Sequence, residues 1–280
     1  MATLETIRDQ QKATWDKFSP GWKKFDDITM DFLHATGEKI IEQLHLNETD
    51  TVLDIASGTG EPGFTIARIV TKGNVVLTDL SEGMLDVARG KAAQMNLGNI
   101  SSQACDVSVL PFADNMFDAV SCRFGFMFFP DMLLAAKEIA RVLKPGGYVS
   151  TSVWGEPGKN AWATAIQQSI KQFMDQPAPV PGAPGLFRCA VPGMISKIFS
   201  DAGLQQASEF EVRGRMDYGS LEEYWAYMNG VVAPIVSALS QADAETVARI
   251  KQASFDTLKE KNPANPAAID YSATVISAVK

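Results

Sequence analysis

From Thr51 to Trp154 short apolar runs alternate with segments of helical spacing, and few folds accommodate that order. A strand buried on both faces of a parallel sheet reads as a nearly continuous apolar run, and each return to the next parallel strand requires a crossover, usually a helix. Five such runs are expected as strands: Thr51 to Ala56, Val75 to Asp79, Ile100 to Cys105, Phe117 to Phe124 and Gly147 to Trp154. Between them Pro62 to Val70, Ser81 to Asn96 and Asp131 to Leu143 have helical periodicity, with Ser81 expected as an N-cap and Pro62 suited to a first turn. The pattern predicts a parallel sheet covered by helices on both faces.

The flanks extend this core. Thr3 to Leu46 reads as helical and carries Trp15, Phe18, Trp22, Phe25 and Phe32, too many large apolar groups for a free tail, so residues 1–46 are expected to form an N-terminal helical cap on a core of residues 47–158. Beyond it, Asp175 to Arg188 is rich in proline and glycine and reads as a lid or flexible insertion. A helix at Pro192 to Ala202, a strand at Gln205 to Val212, helical patterns over Ser220 to Leu239 and Ala244 to Glu260, and a strand at Ile269 to Val279 follow. Residues 159–280 should thus supply lid or insert helices and the last two strands of a single, mostly parallel seven-stranded sheet.

With 280 residues, 46% apolar and 21% charged, the chain fits one large α/β domain with additions. A net charge of -8 opposes a nucleic-acid partner, whose phosphates draw clustered Lys and Arg, and the lysines between Lys17 and Lys24 read as a solvated helix end. Met1 to Gln11 lacks the apolar centre of a signal peptide, no stretch approaches the roughly 20 apolar residues of a membrane span, and Cys105, Cys122 and Cys189 have no metal-type spacing. These features predict a cytoplasmic protein, monomeric or homodimeric, acting on a small molecule.

The first strand runs into a glycine turn, Asp54-Ile55-Ala56-Ser57-Gly58-Thr59-Gly60, and a helix follows. Such turns let the backbone approach a ligand closely. Gly58-x-Gly60-x-x-Gly63, with Asp79 ending the second strand, also matches the dinucleotide fingerprint, so the turn alone leaves S-adenosylmethionine (SAM) and NAD both open, the latter as an NAD-dependent oxidoreductase. Further segments separate them. Asp79-Leu80 with Met84, then Cys105-Asp106-Val107 before Leu110-Pro111-Phe112 and Phe117-Asp118, then Leu143-Lys144-Pro145-Gly146-Gly147, follow in that order. In this the chain resembles the class I SAM-dependent methyltransferases, especially the ubiquinone/menaquinone C-methyltransferase-like group, over about Val52 to Trp154, although Ala56 stands where the family commonly has its first glycine.

The resemblance implies a Rossmann-like fold, SAM as methyl donor and S-adenosylhomocysteine as product. It implies cofactor contacts from Asp54, Ala56, Ser57, Gly58 and Gly60 in the turn, from Asp79 to the ribose hydroxyls, from Leu80 and Met84 to adenine, and from Asp106 and Val107 to the adenine edge. Two of these carboxylates have a structural alternative: Asp106 as the cap of the following turn and Asp54 as a support of the glycine loop.

After the fourth strand, Arg123-Phe124-Gly125-Phe126-Met127-Phe128-Phe129-Pro130 falls where an α/β fold opens its ligand crevice. Phe126 and Met127 are candidates for the substrate pocket, together with Trp22 and Trp154, while about half of the aromatics in the run are expected to serve the core. Arg123 is a candidate catalytic or cofactor-binding residue and could hold an anionic part of the substrate or pair with an acid of the scaffold. Of the histidines, His45 reads as structural and His34, in the cap, is the one candidate imidazole base, with a surface position as its alternative. The Asp/Asn-Pro-Pro-aromatic run of amino-methyltransferases and the Pro-Cys nucleophile of cytosine enzymes are missing, and Asp114-Asn115 is out of place for catechol-type metal ligands, so metal-independent transfer is expected. The expected reaction is in-line transfer of a methyl group to a small, largely apolar or aromatic acceptor. Methylation of an RNA or protein, or a SAM-dependent role other than methyl transfer, stays open, because fold does not fix reaction.

Overall fold

The computed structural model describes residues 3–175, 180 and 182–280. Five strands, β1 (Thr51–Ile55), β2 (Asn74–Asp79), β3 (Ile100–Ala104), β4 (Phe117–Arg123) and β5 (Leu143–Trp154), pair in parallel, with crossovers through α3 (Gly63–Ile69), α4 (Glu82–Gln94) and α5 (Met132–Val142). Two more, β6 (Gln205–Asp217) and β7 (Ala268–Val279), complete a seven-stranded sheet of order β3-β2-β1-β4-β5-β7-β6, in which β7 runs antiparallel to both neighbours. The order reverses between β1 and β4, and the crevice beyond their carboxyl ends is the place where such a sheet accepts a ligand.

The alternation of a strand explains the core. Val52, Val75 and Leu77 point into one apolar layer with Phe64, Ile66 and Leu85, while Leu53 and Ile55 point into the other with Phe117, Ile139 and Val149. Each such side chain, fully buried, contributes about 1.5–3 kcal/mol of transfer free energy. At the edge, β6 carries Glu209, Glu211, Arg213 and Arg215 on largely exposed positions, which discourages pairing with another chain. It extends to Asp217, past the expected end at Val212, because β7 pairs with it along its whole length.

The N-terminal region divides at Phe25 into α1 (Leu4–Lys24) and α2 (Asp26–Glu42). Their packing differs. Helix α2 lies on β4 to β7 and buries Phe32, Leu33 and Ile40, whereas α1 runs against α4 and buries only Phe18 and Ser19. The cap proper is α1, and α2 is part of the core. A helix with no counterpart in the expectations, α6 (Ala161–Phe173), packs with α10 (Ala244–Lys261). After α7 (Met194–Asp201) and β6, the helical stretch from Leu221 breaks before Pro234 into α8 (Leu221–Val231) and α9 (Ala233–Leu239). Much of the proline-rich loop, residues 176–179 and 181, lies outside the described residues; its end is tied to the core by Gly185 N–H to the Met127 carbonyl at 3.1 Å and by Arg188 to the Phe129 carbonyl. Among the described residues no helix is long and apolar enough to cross a membrane.

Candidate active site

One cavity opens over the carboxyl ends of β1, β2 and β4. Its floor at one end is the turn after β1. Ala56, Gly58 and Gly60 take positive φ of 52°, 54° and 112°, and the turn closes through Gly60 N–H to the Ser57 carbonyl at 2.9 Å. At Gly60 a Cβ would stand 2.0 Å from the Phe64 ring. Gly60→Ala should therefore cost about 2–4 kcal/mol in strain and overpacking, read as a fall in melting temperature. Ala56 occupies left-handed space that favours glycine, so Ala56→Gly should raise stability by about 1 kcal/mol in the same melt.

Beneath the turn Asp54 is fully buried. Its two oxygens accept from Ser121 Oγ at 2.6 Å and Gly63 N–H at 3.1 Å, and burial pushes its carboxyl up to about 7. It does not line the cavity, so of its two roles the structure displays the support of the loop. Gly60 likewise serves the turn and does not reach the cavity. Asp79, at the end of β2, does reach it. One oxygen accepts from Gly58 N–H and the other from Ser81 N–H, both at 2.9 Å, which leaves each with further acceptor capacity, and burial pushes its carboxyl up to about 6. Ser81 caps α4 as expected, accepting from Met84 N–H at 3.1 Å. Leu80, Met84, Asp106 and Val107 continue the wall; Asp106 also accepts from Ser108 N–H at 2.8 Å, the turn-capping bond, and has the Arg8 guanidinium at 3.9 Å.

The far end of the cavity is aromatic. Phe124 and Trp154 stack with centroids 4.2 Å apart, Phe32 stacks on Trp154 at 5.5 Å, and Trp162 and Tyr227 close the box. Arg123 leaves β4 beside it. Helix α1 roofs part of the cavity, contributing Arg8, Gln11, Trp15 and Trp22, with Trp15 edge-on to Phe128 at 5.1 Å. The roof is pinned at two points. Asp16 accepts from Ser81 Oγ at 2.6 Å, and Asp26, first in α2, meets Lys91 at 2.6 Å and Thr59 Oγ at 3.0 Å.

Three expectations are corrected here. Phe126 and Met127 are fully buried and do not line the cavity. The short 3-10 turn over Phe126–Phe128 carries Phe126 inward onto Phe129 and Phe199, and Phe124, Phe128 and Phe129 form the wall instead. His34 is on the outer face of α2, largely exposed and 3.2 Å from Glu38, so the imidazole takes its surface alternative. Trp22 and Trp154 do line the cavity. Sequence reasoning missed Arg8, Gln11 and Glu61, whose polarity reads as surface, and Tyr227 and Trp162, which reach the cavity only through tertiary packing.

Two buried polar atoms of the cavity wall, Ser57 Oγ in the turn and Trp22 Nε1 in the roof, have no hydrogen-bond partner among the described residues. Orphaned donors of this kind accord with a polar ligand. An adenosyl sulfonium with a methionine tail suits a glycine turn, a carboxylate at the end of β2 and an apolar wall from Leu80, Met84 and Val107.

Comparison with known proteins agrees. Residues 52–147 match the methyltransferase domain family. The chain is 31% identical over 172 residues to a demethylmenaquinone methyltransferase of Listeria monocytogenes, a match covering 61% of this chain and 73% of that protein. It is 41% identical over 135 residues to a ubiquinone/menaquinone biosynthesis C-methyltransferase of Cellvibrio japonicus, covering 47% of this chain and 54% of that one. Among solved structures, the YcgJ protein of Bacillus subtilis shares the fold with a TM-score of 0.59 at 19% identity, over 88% of this chain and 98% of that one. The oxidoreductase reading of the glycine turn gives way to these matches, and the chain belongs to the class I SAM-dependent methyltransferases, with the demethylmenaquinone and ubiquinone/menaquinone C-methyltransferases among its relatives.

Proposed function

We propose that the methyl acceptor is a small, largely apolar aromatic molecule, a quinol, phenol or polyketide-like compound, held in the box of Phe32, Phe124, Trp154, Trp162 and Tyr227. The observation that carries this reading is the continuity of one cavity from the glycine turn to that box. The names of the relatives, with their quinone products, support it.

In this reading Asp79 accepts the ribose hydroxyls, Leu80 and Met84 pack on adenine, Asp106 and Val107 meet its edge, and Ala56, Ser57 and Gly58 face the methionine portion. SAM, when bound, supplies an electrophilic methyl on a cationic sulfur. The protein's part is alignment and the exclusion of water, and proximity of this kind is worth on the order of 7–11 kcal/mol of barrier. Trp22 and Trp154 confine the acceptor, and the roof of α1 keeps solvent from the aligned groups. The direct test is incubation with SAM and a panel of quinols, phenols and aromatic acids, with product mass as readout. A single added methyl group on a member of the panel supports the reading, and methylation of RNA or protein alone overturns it.

The buried carboxyls make binding and stability depend on pH in opposite ways. Burial raises Asp79 from its ordinary 3.8 to about 6, so the folded apo protein holds this proton more tightly than the unfolded chain. Stability of the apo protein should therefore fall as pH rises from about 4 to 7, by on the order of 3 kcal/mol for this group. Asp54, pushed up to about 7, adds to the same trend. Ribose hydroxyls donate to the ionised form, so affinity for S-adenosylhomocysteine should rise through the same window. Melting curves with and without S-adenosylhomocysteine at about pH 5 and 7.5 check both signs.

A further inference from the structure

Arg123 forms no ion pair among the described residues, although Glu61, Asp54 and Asp26 act on it from a distance. It is half-buried at the carboxyl end of β4 and lines the cavity next to the stacked Phe124 and Trp154. Its hydrogen bonds are long and go to weak partners, Nη1 to the Leu33 carbonyl and Nη2 to Met30 Sδ, each at 3.4 Å. Among the described residues no carboxylate comes within ion-pair distance of it. The acids nearest in charge are otherwise engaged: Asp54 by Ser121 and Gly63, Asp26 by Lys91 and Thr59, and Glu61 by Thr65 N–H at 3.2 Å.

Five N–H donors on a half-buried guanidinium, with two acceptors between them, leave donor capacity at the cavity for a ligand to engage. A planar guanidinium matches a planar, delocalised oxyanion, to which it can donate two parallel bonds. The surrounding rings demand that this oxyanion be carried on a flat apolar body.

We propose that Arg123 is a specificity-determining residue, selecting an acceptor whose aromatic ring bears a carboxylate or ionised hydroxyl and holding that oxyanion at the floor of the aromatic box. This rests on the aromatic-acceptor reading above and narrows it from apolar molecules in general to anionic ones. Of the two readings of Arg123 left open by the sequence it takes the anion-binding one, since among the described residues no acid lies within ion-pair distance.

The test uses the full chain saturated with S-adenosylhomocysteine and two probes of one shape, naphthoate and its neutral analogue naphthamide. Binding is followed by calorimetry. A charge-assisted pair predicts that naphthoate binds at least about tenfold tighter than naphthamide. Arg123→Gln should erase that preference while affinity for S-adenosylhomocysteine and for naphthamide stays within about twofold, and Arg123→Lys should keep part of it. The lysine variant carries the comparison if the glutamine variant does not fold. Equal binding of the two probes by the parent protein overturns the anion selection alone. If neither probe binds, the aromatic-acceptor reading falls with it. Loss of S-adenosylhomocysteine affinity in Arg123→Gln with the naphthoate preference intact assigns the guanidinium to the methionine carboxylate and overturns the proposal.

Discussion

Asp79→Ala should weaken S-adenosylhomocysteine binding by about a hundredfold or more, and Asp106→Ala by no more than about tenfold, measured by calorimetry at neutral pH. The difference follows from what each carboxylate touches. Asp79 lines the cavity and at the same time accepts from Gly58 N–H and Ser81 N–H, so its loss removes the proposed ribose contact and also frees the glycine turn and the start of α4. Hydrogen bonds to a charged group are worth about 1.5–3 kcal/mol each, and two or more fall together. Asp106 has one oxygen committed to its own turn at Ser108, which leaves a single proposed ligand contact to lose. Asp79→Asn is the finer probe: it keeps the shape, and its amide must turn a donor toward either Gly58 N–H or Ser81 N–H, so it should fall between the parent and the alanine variant. Equal affinities for the parent and Asp79→Ala would take Asp79 out of the site.

The parallel core was legible because its strands are buried on both faces and leave unbroken apolar runs such as Val52-Leu53 and Ala119-Val120. Helix α6 has no counterpart in the expectations although its period is clear, with Trp162, Ile166 and Ile170 at four-residue spacing on its buried face. The recurrent motifs were legible too, but as a mixture of ligand and scaffold. Asp118 accepts from Thr51 N–H at 2.9 Å and from Lys144 Nζ at 2.7 Å, joining β1, β4 and β5 far from the cavity. The Leu110-Pro111-Phe112 segment is held by Arg141, which donates to the carbonyls of Leu110 and Phe112, and by Glu138, which accepts Leu110 N–H. Those residues fix the loops on which the cavity-lining groups ride. The acceptor end of the site was the least legible part. Its walls come from α2, β4, β5, α6 and α8, and only tertiary packing decides that Phe124 and Tyr227 face the cavity while Phe126 and Met127 do not.

Removal of residues 1–24 should leave a folded protein that binds S-adenosylhomocysteine within about tenfold of the parent and has lost most of its turnover with a true acceptor. The division between α1 and α2 sets where to cut. Helix α2 carries Phe32, Leu33 and Ile40 into the core, and Asp26 at its start bonds Lys91 and Thr59, so a deletion running past residue 25 would cut into the fold and the site together. Helix α1 has only Phe18 and Ser19 buried, and its ties are Asp16 to Ser81 Oγ and Gly83 N–H, contacts to a helix start whose own cap bond survives without it. The turn, Asp79, Leu80 and Met84 keep their positions, which is why affinity should persist. Water would then enter over Trp154 and Phe124, and the cavity would lose the rings of Trp15 and Trp22, groups of a kind that can steady a cation by roughly 0.5–2 kcal/mol. Circular dichroism, calorimetry and product formation on the truncated chain separate the possibilities. Unaltered turnover would make α1 a structural strap with no part in the reaction, and an unfolded product would place it in the core. The double variant Trp15→Ala, Trp22→Ala in the full chain gives the same comparison with the helix present: turnover should fall by about tenfold or more while the Asp16 tie and cofactor affinity remain.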